Sequence, residues 1–441
     1  MPLEGLADGP HVLAVTQQPS LLLPEVDRRW TFTVDTQPPE LELAPVEVAV
    51  GDEPLAVSGR TTKRATVTIN GEPAPTDAAG TFTARVNGSQ AESIRARATD
   101  PVGNVASVQT ATAWVPSRSD VEQINGVHMS IWGWSSSQLR EPVLAMAEQG
   151  RINTVQLDLK AEGGRIGYDS DVALANEIGA DLQAWDLTQA VEQLHARGVR
   201  VVGRIVAFRD PVLAKHAWQQ GRRDMVVQRP RGTMYTGSYS GFTSFAHRDV
   251  RQYLFALAEE AVRAGVDDIL WDYVRRPDGP VEEYHFGLDQ DTTPKEAVVE
   301  FLAEADDVIS RYGASHGASV YGIAATRPTQ IAQDIPAMAR HLDYVSPMVY
   351  YSHWGPGEYG VSDPNTEPYA ITRRSLQDFI DAVDGRRARV VPWLQDFQLE
   401  GPHGEPQVRA QLRAVADAGV DEWIMWDPSV TYTTSAYDPR W

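Results

Sequence analysis

Cysteine is absent from this 441-residue sequence, and basic side chains are few. Without cysteine the chain can form no disulfide, no thiolate metal ligand and no thiol nucleophile. Its 39 lysines and arginines are outnumbered by 60 acidic residues, which gives a formal net charge of −21. Such a charge repels nucleic-acid phosphates and anionic lipid headgroups. We therefore expect neither nucleic acid nor a membrane surface as a partner.

Several motifs are also missing. No apolar run reaches the ~18 residues that a membrane-spanning helix needs, and residues 1–10 lack a signal-peptide pattern. The 10 histidines show no HxH or HExxH spacing, and no EF-hand loop is present, so we predict no metal and no cofactor. The absence of a GxSxG motif argues against a serine nucleophile.

Residues 1–118 have the pattern of β structure. Short segments rich in valine, threonine and aromatic residues alternate with turn signals, of which Asn70-Gly71 is the strongest hairpin signal. This pattern predicts a β-sandwich. The predicted strands include His11–Thr16, Trp30–Val34, Ala65–Ile69, Thr81–Val86 and Ser93–Ala98.

Three segments of this region resemble a bacterial immunoglobulin-like repeat. They are TFTVDTQPPEL (31–41), ATVTINGEPAPTDAAGTFTARV (65–86) and ATDPVGNVAS (98–107). The resemblance implies that residues 36–118 form one repeat and that residues 1–35 are the tail of a preceding one. The alternative is that 1–35 adds a hairpin to a single β domain. A chain that opens within a repeat is expected to come from a longer extracellular or cell-surface protein, with a cytoplasmic protein as the alternative.

The periodicity changes at about residue 120. Apolar runs of five to eight residues then alternate with amphipathic helices up to the end of the chain. Eight such units predict a (β/α)₈ barrel over residues 119–441. A doubly wound open sheet is the alternative, but no glycine-rich phosphate loop follows the first strand. The predicted strands are 126–132, 154–159, 200–207, 267–272, 318–323, 343–350, 388–394 and 422–426.

Polar and aromatic residues are concentrated where these strands end. Because barrel enzymes build their sites at the carboxyl ends of the strands, these residues are candidates for a site. Carboxylates are the working groups of most glycosidases, and aromatic rings stack on sugars. The catalytic candidates are Asp272, Asp158 and Asp396. The candidates for substrate binding are Lys160, Glu162, Arg204, Tyr273, Arg275, Tyr350, His353, Trp354, Trp393, Gln395, Asp427, Trp132 and Trp134.

Each candidate also has a structural interpretation. Asp272 could pair with Arg275 or Lys160 and only brace the barrel, and Lys160 could equally be the partner of Asp158. The four tryptophans could pack in the core, and His353 could be a hydrogen-bonding surface group.

From about residue 125 to 400 the chain resembles a bacterial family of glycoside hydrolases, formerly a domain of unknown function. The matching segments are VQLDLKAEGGRIGYDS (155–170), LHARGVRVVGRIVAFRDPVLA (194–214), DDILWDYVRRP (267–277), DYVSPMVYYSHWGPGEYG (343–360) and PWLQDF (392–397). The resemblance implies a barrel related to α-amylase-like retaining enzymes. Asp272 would then be the nucleophile at the end of the fourth strand.

The position of the proton donor departs from that pattern. The end of the expected fifth strand reads GIAATR (322–327) and includes no glutamate, so Asp158, Glu162 and Asp396 remain as candidates. The chain also resembles chitinase-like barrels, more weakly. It lacks the glutamate that ends their DxxDxDxE motif. The expected function is hydrolysis of an extracellular poly- or oligosaccharide by a monomer. The alternative is a polysaccharide-binding protein that has lost its acid.

Overall fold

The computed structural model describes residues 5–17, 26–46, 48–51, 54–62, 64–87, 93–112, 114–288 and 291–439. The chain divides into two compact units, Met1–Trp114 and Val115–Trp441. Among the described residues, no helix has the length and apolar character needed to cross a membrane.

The first unit is built from β-strands. A three-stranded sheet in the order β3-β5-β8 and a four-stranded sheet in the order β10-β9-β6-β7 share one apolar core. Val57, Phe82 and Ile94 lie in this core, so the predicted sandwich is confirmed. The strands are β1 (Gly9–Gln17), β2 (Val26–Val34), β3 (Leu41–Leu43), β4 (Ala49–Val50), β5 (Leu55–Thr61), β6 (Thr66–Ile69), β7 (Glu72–Ala74), β8 (Thr81–Val86), β9 (Ser93–Thr99), β10 (Val105–Ala111) and β11 (Trp114–Val115).

Strands β1 and β2 form a separate two-stranded sheet. They pair antiparallel from Gly9 opposite Val34 to Gln17 opposite Val26. This pairing is compatible with the tail of a preceding repeat and equally with an extra hairpin, so the predicted division at residue 35 remains a prediction.

The second unit is an eight-stranded parallel barrel. Its order is β12-β22-β21-β19-β18-β17-β16-β13, and pairing of β12 with β13 closes the ring. The predicted (β/α)₈ barrel is confirmed. The barrel strands are β12 (Asn125–Met129), β13 (Thr154–Lys160), β16 (Arg200–Val206), β17 (Asp268–Asp272), β18 (Ser315–Tyr321), β19 (Tyr344–Met348), β20 (Arg389–Val390) with β21 (Trp393–Gln395), and β22 (Trp423–Trp426).

Helices cover the outside of the barrel. Strands β14 (Ile166–Tyr168) and β15 (Asp181–Trp185) extend the sheet beside β13. The helices are α1 (Ile131–Ser135), α2 (Ser137–Glu148), α3 (Ala173–Glu177), α4 (Leu187–His195), α5 (Pro211–Gln219), α6 (Arg248–Arg263), α7 (Pro294–Ile309), α8 (Ile335–Met338), α9 (Pro368–Val383) and α10 (Glu405–Asp417).

Three predicted strands run two or three residues past their observed ends, and local hydrogen bonds explain the first two; the third, 343–350, ends at Met348. The first barrel strand ends at Met129 because the Ser130 side chain caps α1, accepting a hydrogen bond from the Gly133 N–H. The fifth ends at Tyr321, where the carbonyl of Tyr321 accepts from the N–H of Ala324 and turns the chain away. The predicted strands 126–132 and 318–323 therefore extended too far at their carboxyl ends.

Apolar side chains fill the barrel interior below its mouth. Val202, Leu270, Tyr344 and Ile424 meet there from four different strands. Gly317 makes room for the Tyr344 ring, since a Cβ at this position would lie 2.4 Å from Tyr344 Cε2. This packed interior gives the strand ends above it a rigid base.

Arg118 stabilises the amino-terminal end of the barrel. Its guanidinium donates hydrogen bonds of 2.8 Å to the carbonyls of Val262, Val266 and Tyr312. The next residue, Ser119, donates its N–H to Asp267 at 2.6 Å. The segment before β12 is therefore part of the barrel.

A comparison of two truncated chains tests this role. We expect residues 115–441 to fold alone. A chain of residues 119–441 should be less stable by about 3 kcal/mol, because it loses buried Val115 and leaves three carbonyls without Arg118. Urea unfolding of both chains, with Arg118→Ala in the longer one, measures the difference. Equal stability of the two chains would contradict the assignment.

Candidate active site

A buried arginine organises the mouth of the barrel. The guanidinium of Arg204 donates to Asp272 Oδ2 from Nε at 2.9 Å and from Nη2 at 2.5 Å. Its Nη1 donates to Asp158 Oδ1 at 2.8 Å, and Nη2 also donates to Glu162 Oε1. Three carboxylates from two strands and one loop are thus held by one cation.

Strand register explains why these side chains meet. Asp158 on β13 lies opposite Arg204 on β16, and Asp272 pairs with Val206 on the same strand as Arg204. Residues 158, 204 and 272 project into the barrel because side chains alternate along a strand. Glu162 follows two residues after β13 and reaches the cluster from the loop, with its side chain 32% exposed.

The ion pairs set the charges of the cluster. Burial alone would raise the pKa of Asp158, but Arg204 and His128 outweigh burial and hold that pKa below its ordinary value. Arg204 likewise outweighs burial at Glu162 and lowers its pKa. Burial lowers the pKa of Arg204 less than the three carboxylates raise it, so that pKa lies well above its ordinary value. Asp158 and Glu162 are therefore ionised at neutral pH.

The backbone after the fourth barrel strand fixes Asp272. Tyr273 has a φ of +49°, in the left-handed region that non-glycine residues rarely occupy. In this turn the Tyr273 N–H donates to Asp272 Oδ1 at 2.7 Å. One oxygen of Asp272 is thus bound by the backbone and the other by Arg204, which holds the carboxylate in one orientation.

His128 is a site residue that sequence reasoning missed. Its Nε2 lies 3.1 Å from Asp158 Oδ2, and its ring stacks on Trp426 at a centroid distance of 3.7 Å. Trp426 stacks in turn on Trp393 at 4.7 Å, and the Arg204 guanidinium lies over both indoles. His128 is the last inward-facing residue of the first strand. If the first strand had been predicted to end at Met129 instead of residue 132, His128 would have been placed at the barrel mouth.

The structure gives Lys160 and Arg275 partners other than those expected. Lys160 lies 3.0 Å from Asp210 Oδ2 and donates to the Val206 carbonyl at 2.6 Å, so it ties the second strand to the loop after the third. Arg275 donates to the Tyr321 hydroxyl at 2.8 Å and lies over the Tyr321 ring. The expected pairings with Asp158 and Asp272 are therefore corrected: Arg204 fills that role.

Asp396 is bound to the end of the chain. Residues 427–437, which we name the C-terminal strap, follow the eighth strand. Asp396 accepts hydrogen bonds from the Thr433 N–H at 2.8 Å, the Thr433 hydroxyl at 2.7 Å and the Tyr437 hydroxyl at 2.5 Å. His403 lies 3.1 Å from its other side. The structure does not bring Asp396 together with Asp272 and Asp158.

Asp427 and Gln395 also hold loops of the mouth. Asp427 accepts from the Ser429 and Thr431 N–H groups at 2.9 Å and shapes the start of the strap. Gln395 accepts from the Ser352 hydroxyl at 2.8 Å and fixes the loop after the sixth strand. From the strap, the Tyr432 hydroxyl donates to the His128 carbonyl at 2.5 Å.

An aromatic cavity opens beside the carboxylates. Its volume is about 410 Å³, within the range of small-molecule sites. The Tyr350 hydroxyl is buried and has no hydrogen-bond partner among the described residues, and burial and Asp272 raise its pKa well above the ordinary value. The cavity is lined by Tyr273, Tyr321, Gly322, Ile323, Met348, Tyr350, His353 and Trp354.

The predicted tryptophans occupy different environments. Trp134 and Trp393 are buried, whereas Trp132 is 64% exposed on the helix after the first strand. In the described chain, no group of three or more histidine, aspartate and glutamate side chains could hold a metal ion. The mouth thus offers carboxylates, aromatic faces and hydroxyls as its chemical groups.

Comparisons with known proteins support the barrel fold and indicate a family. Residues 126–432 match a family model described as "Putative glycosyl hydrolase domain". The glycoside hydrolase domain of PgaB (BpsB) from Bordetella bronchiseptica has 14% identity and a TM-score of 0.52, covering 72% of this chain and 99% of that domain. At such identity the likeness shows the fold alone. The sequence matches no curated protein.

Two further solved structures are similar over parts of the chain. A hypothetical protein from Ruminiclostridium thermocellum has 26% identity and a TM-score of 0.40, covering 44% of this chain and 96% of its own. An endo-1,4-β-D-mannanase from Thermotoga petrophila has 12% identity and a TM-score of 0.44, and the match covers 69% of this chain and 88% of the mannanase chain.

The role of Arg204 gives stability a defined pH dependence. In the wild type, the pKa values of Asp158 and Glu162 are lower in the folded than in the unfolded chain. Their ionised forms therefore stabilise the fold at any pH above the unfolded-state pKa, and this stabilisation is lost as the pH falls through the folded-state pKa. In Arg204→Gln, burial raises the pKa of Asp158, so its contribution reverses sign. We expect the variant to lose about 3–5 kcal/mol at pH 7 and less at pH 4.

Urea unfolding at pH 4, 5.5 and 7 measures this difference. The control is Arg209→Gln, because Arg209 lies over the rings of Tyr239 and Tyr273 and donates to the Tyr273 hydroxyl. Its loss of stability should not vary with pH. A pH-independent loss in Arg204→Gln would show that the ion pairs do not set these pKa values.

Proposed function

The chain belongs to the family described as "Putative glycosyl hydrolase domain", and we propose that it cleaves the glycosidic bonds of a poly- or oligosaccharide with Asp272 as nucleophile. The observation that carries the proposal is the Arg204 cluster. Asp272, Asp158 and Glu162 share one buried guanidinium beside an aromatic cavity. Paired carboxylates at a barrel mouth are the groups that glycoside hydrolysis requires.

The hydrogen bonds of Arg204 support a retaining mechanism. Asp272 Oδ2 and Glu162 Oε1 both accept from Nη2. The distance between these two oxygens therefore cannot exceed the sum of two hydrogen-bond lengths, about 6 Å. Retaining enzymes separate their carboxyl groups by about 5–5.5 Å, and inverting enzymes by about 6.5–9.5 Å. The separation favours direct attack by Asp272 over activation of a water.

Each carboxylate is assigned a role in two steps. Asp272 attacks the anomeric carbon while the leaving oxygen takes a proton from Glu162. Water then attacks the same carbon, gives a proton to Glu162 and releases Asp272. Glu162 suits proton exchange because it is the partly exposed member of the cluster. Asp158, between Arg204 and His128, orients Arg204.

The surroundings support a carbohydrate as the partner. Rings of Tyr321 and Trp354 in the aromatic cavity offer flat apolar faces, and sugars stack on such faces. An extracellular or cell-surface location and a monomeric state belong to this proposal as well, since polysaccharides are found outside cells and the site is built from one chain.

The charge of Glu162 favours a second candidate, a polysaccharide-binding protein without turnover. Arg204 lowers the pKa of Glu162, so little of the proton donor is protonated at neutral pH. If Glu162 is the acid, turnover must rise as the pH falls toward that lowered pKa. A binding protein would show affinity without products at any pH.

Incubation with a polysaccharide panel separates the two candidates. We expect new reducing ends from at least one of soluble starch, galactomannan, xylan and glycol chitin, with an optimum at acid pH. Asp272→Asn keeps the shape and removes the charge, so turnover should fall by about three orders of magnitude or more while the protein stays folded. Binding without products on every polymer would favour the binding protein. Full turnover by Asp272→Asn would exclude Asp272 as nucleophile.

Leaving-group dependence tests the acid. We expect Glu162→Gln to slow cleavage of the natural polymer by about 100-fold or more, because its leaving oxygen needs a proton. Activated 4-nitrophenyl glycosides need no such proton and should be affected much less. Asp396→Asn is the control: its partners are the C-terminal strap and His403, so any loss that it causes should be equal on the two substrates. An equal loss of rate on both substrates in Glu162→Gln would show that another residue is the acid.

A further inference from the structure

The binding features of the mouth lie on opposite sides of the carboxylates. In the closed ring, β12 is separated from β18 by β22, β21 and β19 in one direction and by β13, β16 and β17 in the other. The first and fifth barrel strands are therefore diametrically opposed. The aromatic cavity is centred on the fifth strand, since it is lined by residues at or just after the carboxyl ends of the fourth, fifth and sixth strands.

Trp132 marks the opposite side. It lies on α1, directly after the first strand, and its side chain is 64% exposed. The helix is held in place by the Ser130 cap and by buried Ile131 and Trp134. Because the Trp132 indole is mostly exposed to water, its burial contributes little to the stability of the fold. The indole is a ready platform for the apolar face of a sugar ring.

The Arg204 cluster lies between these two features. Asp158, Arg204 and Asp272 stand on the second, third and fourth strands, on the path around the ring from the first strand to the fifth. A ligand that reaches both Trp132 and the aromatic cavity must cross the mouth over the carboxylates. Such a ligand has sugar rings on both sides of the bond that is cut.

We propose that the mouth binds an internal stretch of a polysaccharide, with one part against Trp132 and the other in the aromatic cavity, and that the enzyme cuts within the chain. This inference rests on the proposed function and adds its substrate class: a polymer longer than the two sugars at the bond, cleaved away from its ends. Gly322 lets the chain after the fifth strand pack closely against the sixth in the lining of the cavity, because a Cβ there would lie 2.5 Å from the Met348 carbonyl oxygen and 3.4 Å from the Trp354 ring.

The test compares polymers with short substrates. We would measure kcat/KM of the wild type, Trp132→Ala, Trp132→Phe and Leu399→Ala on the four polysaccharides named above and on the matching 4-nitrophenyl glycosides. Leu399 is the matched control, an exposed apolar side chain in the loop after the seventh strand. In Trp132→Ala the ratio of kcat/KM for polymer to that for glycoside should fall about 10-fold. Phenylalanine should restore most of the ratio, and Leu399→Ala should keep it.

Viscosity gives the second measurement. Internal cleavage lowers the viscosity of a polymer solution before many reducing ends are released. An unchanged ratio in Trp132→Ala, or reducing ends released without early loss of viscosity, would overturn the inference and leave the proposed hydrolase intact.

A wild type without products would refute the proposed function separately. Native gels containing each of the four polymers would then test the two-sided binding alone. Retardation that is lost in Trp132→Ala and kept in Leu399→Ala would support it. Absence of retardation in all four polymers, or equal retardation of both variants, would overturn it.

Discussion

The pairing of Arg204 with three carboxylates is the interaction on which the rest of the site depends. Three negative charges in a barrel mouth repel one another, and two of them, Asp158 and Asp272, are almost completely buried. Removing such charges from water costs several kcal/mol each unless a cation and hydrogen bonds compensate. Arg204 provides five donors in a planar fork and forms four hydrogen bonds with the three carboxylates. The parallel strand register brings Asp158, Arg204 and Asp272 close together at the mouth, and Glu162 reaches them from the loop after the second strand.

Much of the surrounding structure serves to hold that guanidinium in place. Trp426 and Trp393 stack beneath it, and His128 fills the space between Trp426 and Asp158. The C-terminal strap reaches His128 through the Tyr432 hydroxyl and is itself held by Asp396. Asp396, more than a hundred positions after Asp272 in the sequence, thus contributes to the geometry of the cluster through contacts with the strap and, from there, with His128.

The sequence predicted those parts of the fold that depend on local pattern. The eight strands and the sandwich follow from periodicity, and the rule that strand ends share one mouth placed Asp158, Arg204 and Asp272 on the same side of the barrel. The pairing of Arg204 with the two aspartates was not predicted. The partners of Lys160 and Arg275 could not be predicted, because side chains at one mouth have several oppositely charged neighbours within reach. The position of Asp396 depends on a strap whose course has no periodic signal. The role of His128 was missed because the first strand was drawn three residues too long.

The stereochemistry of the first product tests the central claim most directly. If Arg204 holds Asp272 and Glu162 within two hydrogen-bond lengths of each other, hydrolysis proceeds through a glycosyl ester on Asp272 and keeps the anomeric configuration. Proton NMR of the first minutes of cleavage, on whichever polysaccharide of the panel yields reducing ends, reads the configuration before mutarotation. The account predicts retention. An inverted anomer would contradict it, since a water would then have to fit between two carboxyl groups that one guanidinium nitrogen binds together.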